Sequence, residues 1–272
     1  MNHMKYKQTP SEPYGVTLHG PEAFAGMRRA GQLAAECLDY ITPYVTPGVT
    51  TGMLDHLCAT FVAERGARSA PLGYKGFPKS ICTSVNHVVC HGIPGDKVLM
   101  EGDILNIDVT PILEGWHGDA SRMYYVGKPS IKASRLIEVT HEALMLGIKA
   151  VRPGATLGDV GHAIQSHVEA HKFSVVRDFC GHGVGRVFHE PPNVMHFGTP
   201  GAGMTLCAGM IFTIEPMINA GRLETKVLED GWTAVTKDRS LSAQFEHTIG
   251  VTAEGCEIFT LSPKGWHKPP YL

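Results

Sequence analysis

Apolar positions in this chain recur at helical spacing over four stretches and alternate at strand spacing over much of the remainder. Gly20-Pro21 opens the first stretch, because proline suits the first helical turn, where its missing N–H is not needed. EAFAGMRRAGQLAAECLDYI carries the pattern on to about residue 42. Pro47-Gly48 breaks it, a second helix is expected over 51–65, and Gly66 closes that one. The same signals predict helices over about 131–151 and 157–171, each beside a Pro/Gly break.

Between 80 and 125 the pattern changes to short apolar runs with alternation, the strand signal. In DILNIDVTP, Leu105, Ile107 and Val109 form one face, which reads as the buried face of a sheet. Asp108 then lies on the opposite face beside Asn106. Glu114-Gly115 supplies a turn and 120–126 a return strand, a hairpin able to bring Asp108 near Asp119. The second half repeats the order, a helix pair and then strands carrying His182, Glu215 and Glu246. This reads as a weak internal duplication. The expected organisation is a polar N-terminal arm over 1–20 and one α/β (α+β) catalytic domain over 21–272 with pseudo-twofold halves. The arm holds a PxxP pair, Pro10 and Pro13, of the kind that docks in aromatic grooves. An arm lying on its own domain, or disordered, is the preferred expectation.

Composition narrows the class. Hydrophobic residues make up 43% and charged residues 18%, as in soluble globular proteins. A net charge of −2 and a pI near 6.7 argue against a dominant nucleic-acid footprint, so no DNA partner is expected. No stretch reaches the roughly 18 apolar residues of a membrane span. The opening MNHMKYKQTPSEPYG has no apolar core and is no signal peptide, which makes the cytoplasm the default address. Seven cysteines, an odd number without a CxxC pair, argue for reduced and mostly buried thiols rather than a thiolate zinc site.

The candidate chemistry sits on five residues: Asp108 in NIDVT, Asp119 in HGDAS, His182 in GHGVG, Glu215 in TIEPM and Glu246 in FEHT. One imidazole with four carboxylates suits hard or borderline divalent ions such as Mn, Fe, Co or Zn. Four carboxylates exceed what one ion usually takes, so two ions sharing bridging carboxylates are inferred. Such sites activate water and clamp a tetrahedral intermediate. Burial beside an arginine is the alternative for Asp108 and Glu215, and a surface charge the alternative for Asp119 and Glu246. The glycines of GHGVG hold backbone near the metals; no strand-GxGxxG-helix pattern or Gly-Lys-Ser/Thr supports a phosphate loop.

In order, CHGIPGD, DILNIDVTPILEGWHGDASR, GHGVGRVFHEPPNV, TIEPM and DRSLSAQFEHT resemble the motif set of type I methionine aminopeptidases, from about Pro21 to about Thr260. The resemblance implies the pita-bread fold, a curved antiparallel sheet whose halves are covered by two helix pairs. It implies a monomer that removes N-terminal methionine from nascent proteins, preferring a small second residue, as a step of protein maturation. Asp119 and Glu246 would bridge two ions, Asp108 completing one shell and His182 with Glu215 the other. Glu215 would act as general base toward metal-activated water. His189 would stabilise the oxyanion or substrate amide, and His91 would line the amine side; a hydrogen-bonded core histidine is the alternative for each. The methionine pocket would be Tyr74, Phe77, Cys82, Phe188 and Trp232, with Pro71 where many members carry Cys. His87 and His247 are expected to be structural, and His117 a turn residue. A contact with the ribosome is expected to be weak, because 222–239 carries four basic and four acidic residues. The rivals are an Xaa-Pro aminopeptidase or prolidase on the same fold and a binding protein that has lost catalysis. The complete ligand set speaks against the latter.

Overall fold

In a computed structural model of the chain, residues 15–271 are described. Four helices form where the periodicity puts them: α1 (Pro21–Ile41), α2 (Thr51–Glu64), α3 (Ile131–Ala150) and α4 (Leu157–Ala170). Their starts have local causes. Pro21 occupies the first turn of α1. Thr50 and Ser130 accept the amides of Met53 and Ala133 on their side chains. Thr156 and Asp159 form a reciprocal capping box on α4. Each device satisfies N–H groups that a helix start leaves without partners.

The central sheet is antiparallel and eight-stranded. Its members are β1 (Cys82–Val85), β2 (Ile104–Val109), β3 (Ala120–Tyr125), β4 (Gly181–Gly183), β5 (Glu190–Val194), β6 (Ile211–Ile214), β7 (Glu246–Val251) and β8 (Cys256–Ile258). They run in the order β5-β4-β6-β7-β3-β2-β1, and β8 pairs with β7. The contact between β7 and β3 joins the strands of the second half to those of the first. One register row crosses it: Cys82 faces Asp108, Asp108 faces Ser121, and Ser121 faces Glu246. Directly opposed residues share a sheet face. The row therefore brings an acid from each half onto the same side.

Leu105, Ile107 and Val109, the apolar face read from the sequence, are buried in one core with Leu38 and Ile41 of α1 and Leu54 of α2. A second core joins Leu136 and Leu144 of α3 and Ile164 of α4 to Phe212 and Ile249 of the sheet. Each such side chain contributes about 1.5–3 kcal/mol by leaving water. Two helix pairs over two sheet halves make the pita-bread architecture.

Two sequence expectations need correction. The β2–β3 hairpin turns at Glu114 and Gly115 as expected, both left-handed, but the residues after the turn form a short strand, Trp116–His117, paired with Pro111–Leu113. His117 is thus a strand residue, and its Nδ1–H donates to the Gly185 carbonyl at 2.9 Å. Glu215, expected on a strand, lies one residue beyond β6. Pro216 follows it and has no N–H with which to continue a ladder.

Residues 1–14 of the expected arm, Pro10 and Pro13 among them, lie outside the described residues. From there the chain is anchored: Val16 is buried in the α3/α4 core, and the His19 N–H donates to the Gly209 carbonyl at 2.8 Å. The C-terminal segment is held by a buried network in which Arg122 pairs with Asp39 at 2.5 Å and Ser262 donates to the same carboxylate at 2.9 Å.

Candidate metal centre

Five side chains converge from five places. Asp108 comes from β2, Asp119 from the residue before β3, His182 from β4, Glu215 from just past β6 and Glu246 from the start of β7. One ligand atom each from Asp119, His182 and Glu246 lies within 4.8 Å of the other two. His182 Nε2 stands 3.5 Å from Asp119 Oδ2 and 3.7 Å from Glu215 Oε1. Its other nitrogen, Nδ1–H, donates to the Gly183 carbonyl at 3.0 Å. In the neutral ring that bond puts the proton on Nδ1 and turns Nε2 toward the acids, the usual arrangement of a metal-ligating histidine. Gly183 has a packing reason to be glycine: a Cβ there would lie 2.1 Å from the Pro191 carbonyl oxygen.

Neighbours hold the acids in place. Thr110 Oγ1 donates to Asp119 Oδ1 at 2.8 Å, and Thr248 Oγ1 donates to the Asp119 carbonyl at 2.7 Å. Glu215 is held at three atoms: Thr213 Oγ1 donates to Oε1 (2.8 Å), Gln244 Nε2 donates to Oε2 (3.2 Å), and the Glu215 amide donates to His196 Nε2 (3.0 Å). None of these partners was singled out in the sequence. Thr213 had a visible signal, since it sits two residues before Glu215 and so shares its strand face; His196 had none.

The charge balance is lopsided. Among the described residues no Lys or Arg comes within ion-pair distance of Asp108, Asp119, Glu215 or Glu246, which removes the arginine alternative. Burial, with Asp119 and Glu215 adding, pushes the Asp108 carboxyl well above the usual range, and Glu246 behaves likewise. Burial raises Glu215 to about 7, against the pull of His182. Burial opposes charge on His182, but Asp119 and Glu215 outweigh it and bring its pKa to about 9. Four acids in a poorly solvated site favour protons or cations as counter-charge. The donors, carboxylate oxygens and one imidazole nitrogen, fit the divalent ions named above.

The cluster forms one wall of a cavity of about 530 Å³. Every residue singled out in the sequence for metal, substrate or catalysis lines it: the five above, His91, His189, Tyr74, Phe77, Cys82, Phe188 and Trp232, as does Pro71. Tyr74 stacks on His189 at 5.1 Å and touches Phe188 at 4.8 Å; Phe77 meets Trp232 edge-on at 5.2 Å. His189 lies 4.0 Å from the His182 ring between centroids. His91 has left-handed backbone (φ 56°), a conformation that costs a non-glycine residue about 1 kcal/mol, and its ring packs edge-on against Phe179 and Trp232. Cys90, Asp178, Phe179 and Met217 also line the cavity and were not anticipated. His247 is buried away from it, with Nδ1 bonded to Thr260 Oγ1 at 2.8 Å. All seven cysteines are free, and four of them are buried.

Known proteins resemble this chain in sequence and fold. A family model described as metallopeptidase family M24 matches residues 25–253. The chain is 62% identical over 257 residues to the methionine aminopeptidase of Rickettsia prowazekii (strain Madrid E), which spans 94% of this chain and 99% of the relative. It is 56% identical over 248 residues to the methionine aminopeptidase of Escherichia coli (strain K12), with 90% and 94% covered. The crystal structure of the Rickettsia prowazekii enzyme superposes with a TM-score of 0.90, covering 90% of this chain and 100% of that one. With the ligand cluster, the two-halved sheet and identities of this size in agreement, the chain belongs to metallopeptidase family M24 and, within it, to the methionine aminopeptidases.

Proposed function

We propose that this chain, as a cytoplasmic monomer, hydrolyses the first peptide bond of nascent proteins and peptides that begin with methionine, preferring a small second residue. Two divalent cations would be held by the five-residue cluster. Asp119 and Glu246 would be shared between them, Asp108 would complete one set of ligands, and His182 with Glu215 would complete the other. When bound, such ions supply positive charge that acidifies water toward neutral pH and polarises an amide carbonyl. The other steps fall to the chain's own residues. Glu215 takes the proton from the attacking water, its position supplying what a carboxylate held against metal charge lacks in basicity. His189, which lines the cavity beside His182, donates to the amide carbonyl as charge develops on it. His91, which burial keeps uncharged at neutral pH, contacts the substrate on its amine side. Tyr74, Phe77, Cys82, Phe188 and Trp232 surround an unbranched apolar side chain and keep water from the scissile bond. One catalytic unit over 21–272 is sufficient, since all of these groups come from a single chain. Ribosome contact would be weak and salt-sensitive, given the balanced charge of 222–239.

The observation that carries this reading is the placement of the Asp119–His182–Glu246 donor cluster in the same cavity as the aromatic wall. The test is release of free methionine from Met-Ala-Ser by chelator-stripped protein refilled with Mn or Co. Release that requires metal, spares Leu-Pro-Ala and is lost in Asp108→Asn is expected. Cleavage of Leu-Pro-Ala instead would move the chain to the prolidase side of the fold, and cleavage of neither by metal-loaded protein would overturn the catalytic reading.

A further inference from the structure

Glu215 occupies an awkward place in the backbone. The β6–β7 ladder ends at the pair Ile214 and His247. Glu215 comes next, and Pro216 after it offers no N–H. The Glu215 amide therefore looks outside the ladder for an acceptor, and it finds the lone pair of His196 Nε2 at 3.0 Å. An imidazole nitrogen that accepts carries no hydrogen, so the neutral ring holds its proton on Nδ1. His196 is fully buried, and Nδ1 meets no partner among the described residues. A buried N–H without a protein partner is costly, and a side chain kept under that cost calls for an offsetting role.

His196 itself is held from behind. It lies two residues past β5, and the backbone on either side of it presses on α4: a Cβ built on Gly161 would fall 2.3 Å from the Phe197 carbonyl oxygen and 3.0 Å from that of Met195. Gln165, one turn further along α4, accepts the Gly198 amide at 3.2 Å. The Arg177 guanidinium covers the Phe197 ring at 4.9 Å. Glycine at 161 thus lets segment 195–197 sit directly on α4, and that seat sets the depth at which the His196 ring meets Glu215.

We propose that His196 is a positioning residue for Glu215: by accepting its amide it fixes the backbone at the strand end and so the place of the Glu215 carboxylate in the metal centre. The inference rests on the reading of Glu215 as ligand and base. Thr213 and Gln244 hold the carboxylate itself, and His196 holds the main chain from which it springs. Loss of the acceptor would leave a buried N–H free to seek another partner, and a small turn at Glu215 displaces its carboxylate at the far end of the side chain. Only an acceptor at the Nε2 position is needed, so glutamine, whose Oε1 lies at the matching distance from the backbone, should substitute where leucine cannot.

The first test needs no variant. In 15N-labelled protein the Glu215 amide should show a scalar coupling to His196 Nε2 through the hydrogen bond, with Nε2 at the shift of an unprotonated nitrogen. A protonated Nε2, or no coupling with both resonances assigned, would overturn the proposal. The second test measures Mn affinity by calorimetry on chelator-stripped protein, together with kcat and KM for Met-Ala-Ser. His196→Leu should weaken the Glu215-dependent Mn binding and lower kcat by ~10–100-fold, with KM little changed. His196→Gln should recover most of both. Gly161→Ala, whose methyl would press on the Phe197 and Met195 carbonyls that flank His196, should show a smaller loss of the same kind. If His196→Leu folds and keeps Mn affinity and kcat, His196 does not position Glu215. Glu215→Gln separates the two readings: should it keep metal affinity and turnover, the role given to Glu215 fails, whatever His196 does.

Discussion

Thr213 binds Glu215 and His182 through a single oxygen: its Oγ1 donates to Glu215 Oε1 at 2.8 Å and accepts the His182 amide at 3.0 Å. A fully buried hydroxyl thus ties together two of the clustered residues, one from β4 and one from just past β6. Because a hydroxyl donates once, its orientation is set by the carboxylate, and the His182 amide takes a lone pair.

Thr213→Val keeps the shape and removes both bonds. The expected result is a ~10–100-fold loss in metal affinity, with stability lower by about 1–3 kcal/mol from the stranded His182 amide. Titration calorimetry and urea unfolding of the metal-free protein measure the two separately. Thr213→Ser, which keeps the hydroxyl, should retain most of the affinity. Equal affinity in the valine variant would show that the bond does not order the centre.

The helices and the Asp108 row were legible in the sequence because their causes are local. Pro21, Thr50, Ser130 and the Thr156–Asp159 box mark helix starts within a few residues of themselves. Alternation across Leu105, Ile107 and Val109 puts Asp108 on the other face at once. The convergence of five candidate ligands was legible through their contexts, not through any periodicity. His196 and Gln244 were not legible, since each reaches Glu215 from 19 and 29 residues away and only the fold brings them there. His117 was misread because the Gly118 that follows it suggested a second turn, whereas Trp116–His117 pairs back on Pro111–Leu113 across the expected turn at Glu114 and Gly115.

Crowding of acids links metal binding to protons. Asp108, Glu215 and Glu246 all have pKa values raised in the metal-free protein, burial being the largest cause. A bound divalent cation requires them ionised, so binding near neutral pH releases protons and affinity falls as pH falls. Calorimetry in two buffers of different ionisation enthalpy should show net proton release at pH 7, and Mn or Co should raise Tm with concentration by mass action. Proton uptake on binding would contradict the electrostatic picture.

The buried pair Asp39–Arg122 makes a prediction distant from the cavity. Both side chains are nearly solvent-free, and Ser262 satisfies the carboxylate further. Removing one partner strands the other charge, which costs about 3–5 kcal/mol. Asp39→Ala should therefore lower the urea midpoint strongly and release the segment after Thr260 to proteolysis. Ser262→Ala, which leaves the pair intact, should cost far less, about 1 kcal/mol. Similar losses in the two variants would place the anchor in Ser262 rather than in the ion pair.

Acid stability should depend on His141 of α3. Its ring packs edge-on against Phe245 at 5.3 Å, and its buried Nε2 has no partner among the described residues. Burial, with Lys268 and His267 adding, lowers its pKa to about 4, while in the unfolded chain it returns to the ordinary histidine value of 6.5. The folded pKa is the depressed one, so the unfolded state takes up the proton first as pH falls. Stability is therefore unaffected above about pH 6.5 and declines between there and about pH 4, below which the difference is constant. Allowing for partial solvent access, this single group accounts for about 2 kcal/mol of the decline. His141→Gln, unable to titrate, should flatten the urea-midpoint profile across that window and leave it unchanged at pH 8 apart from a constant offset. An unaltered slope between pH 6.5 and 4 would assign the acid sensitivity to other groups.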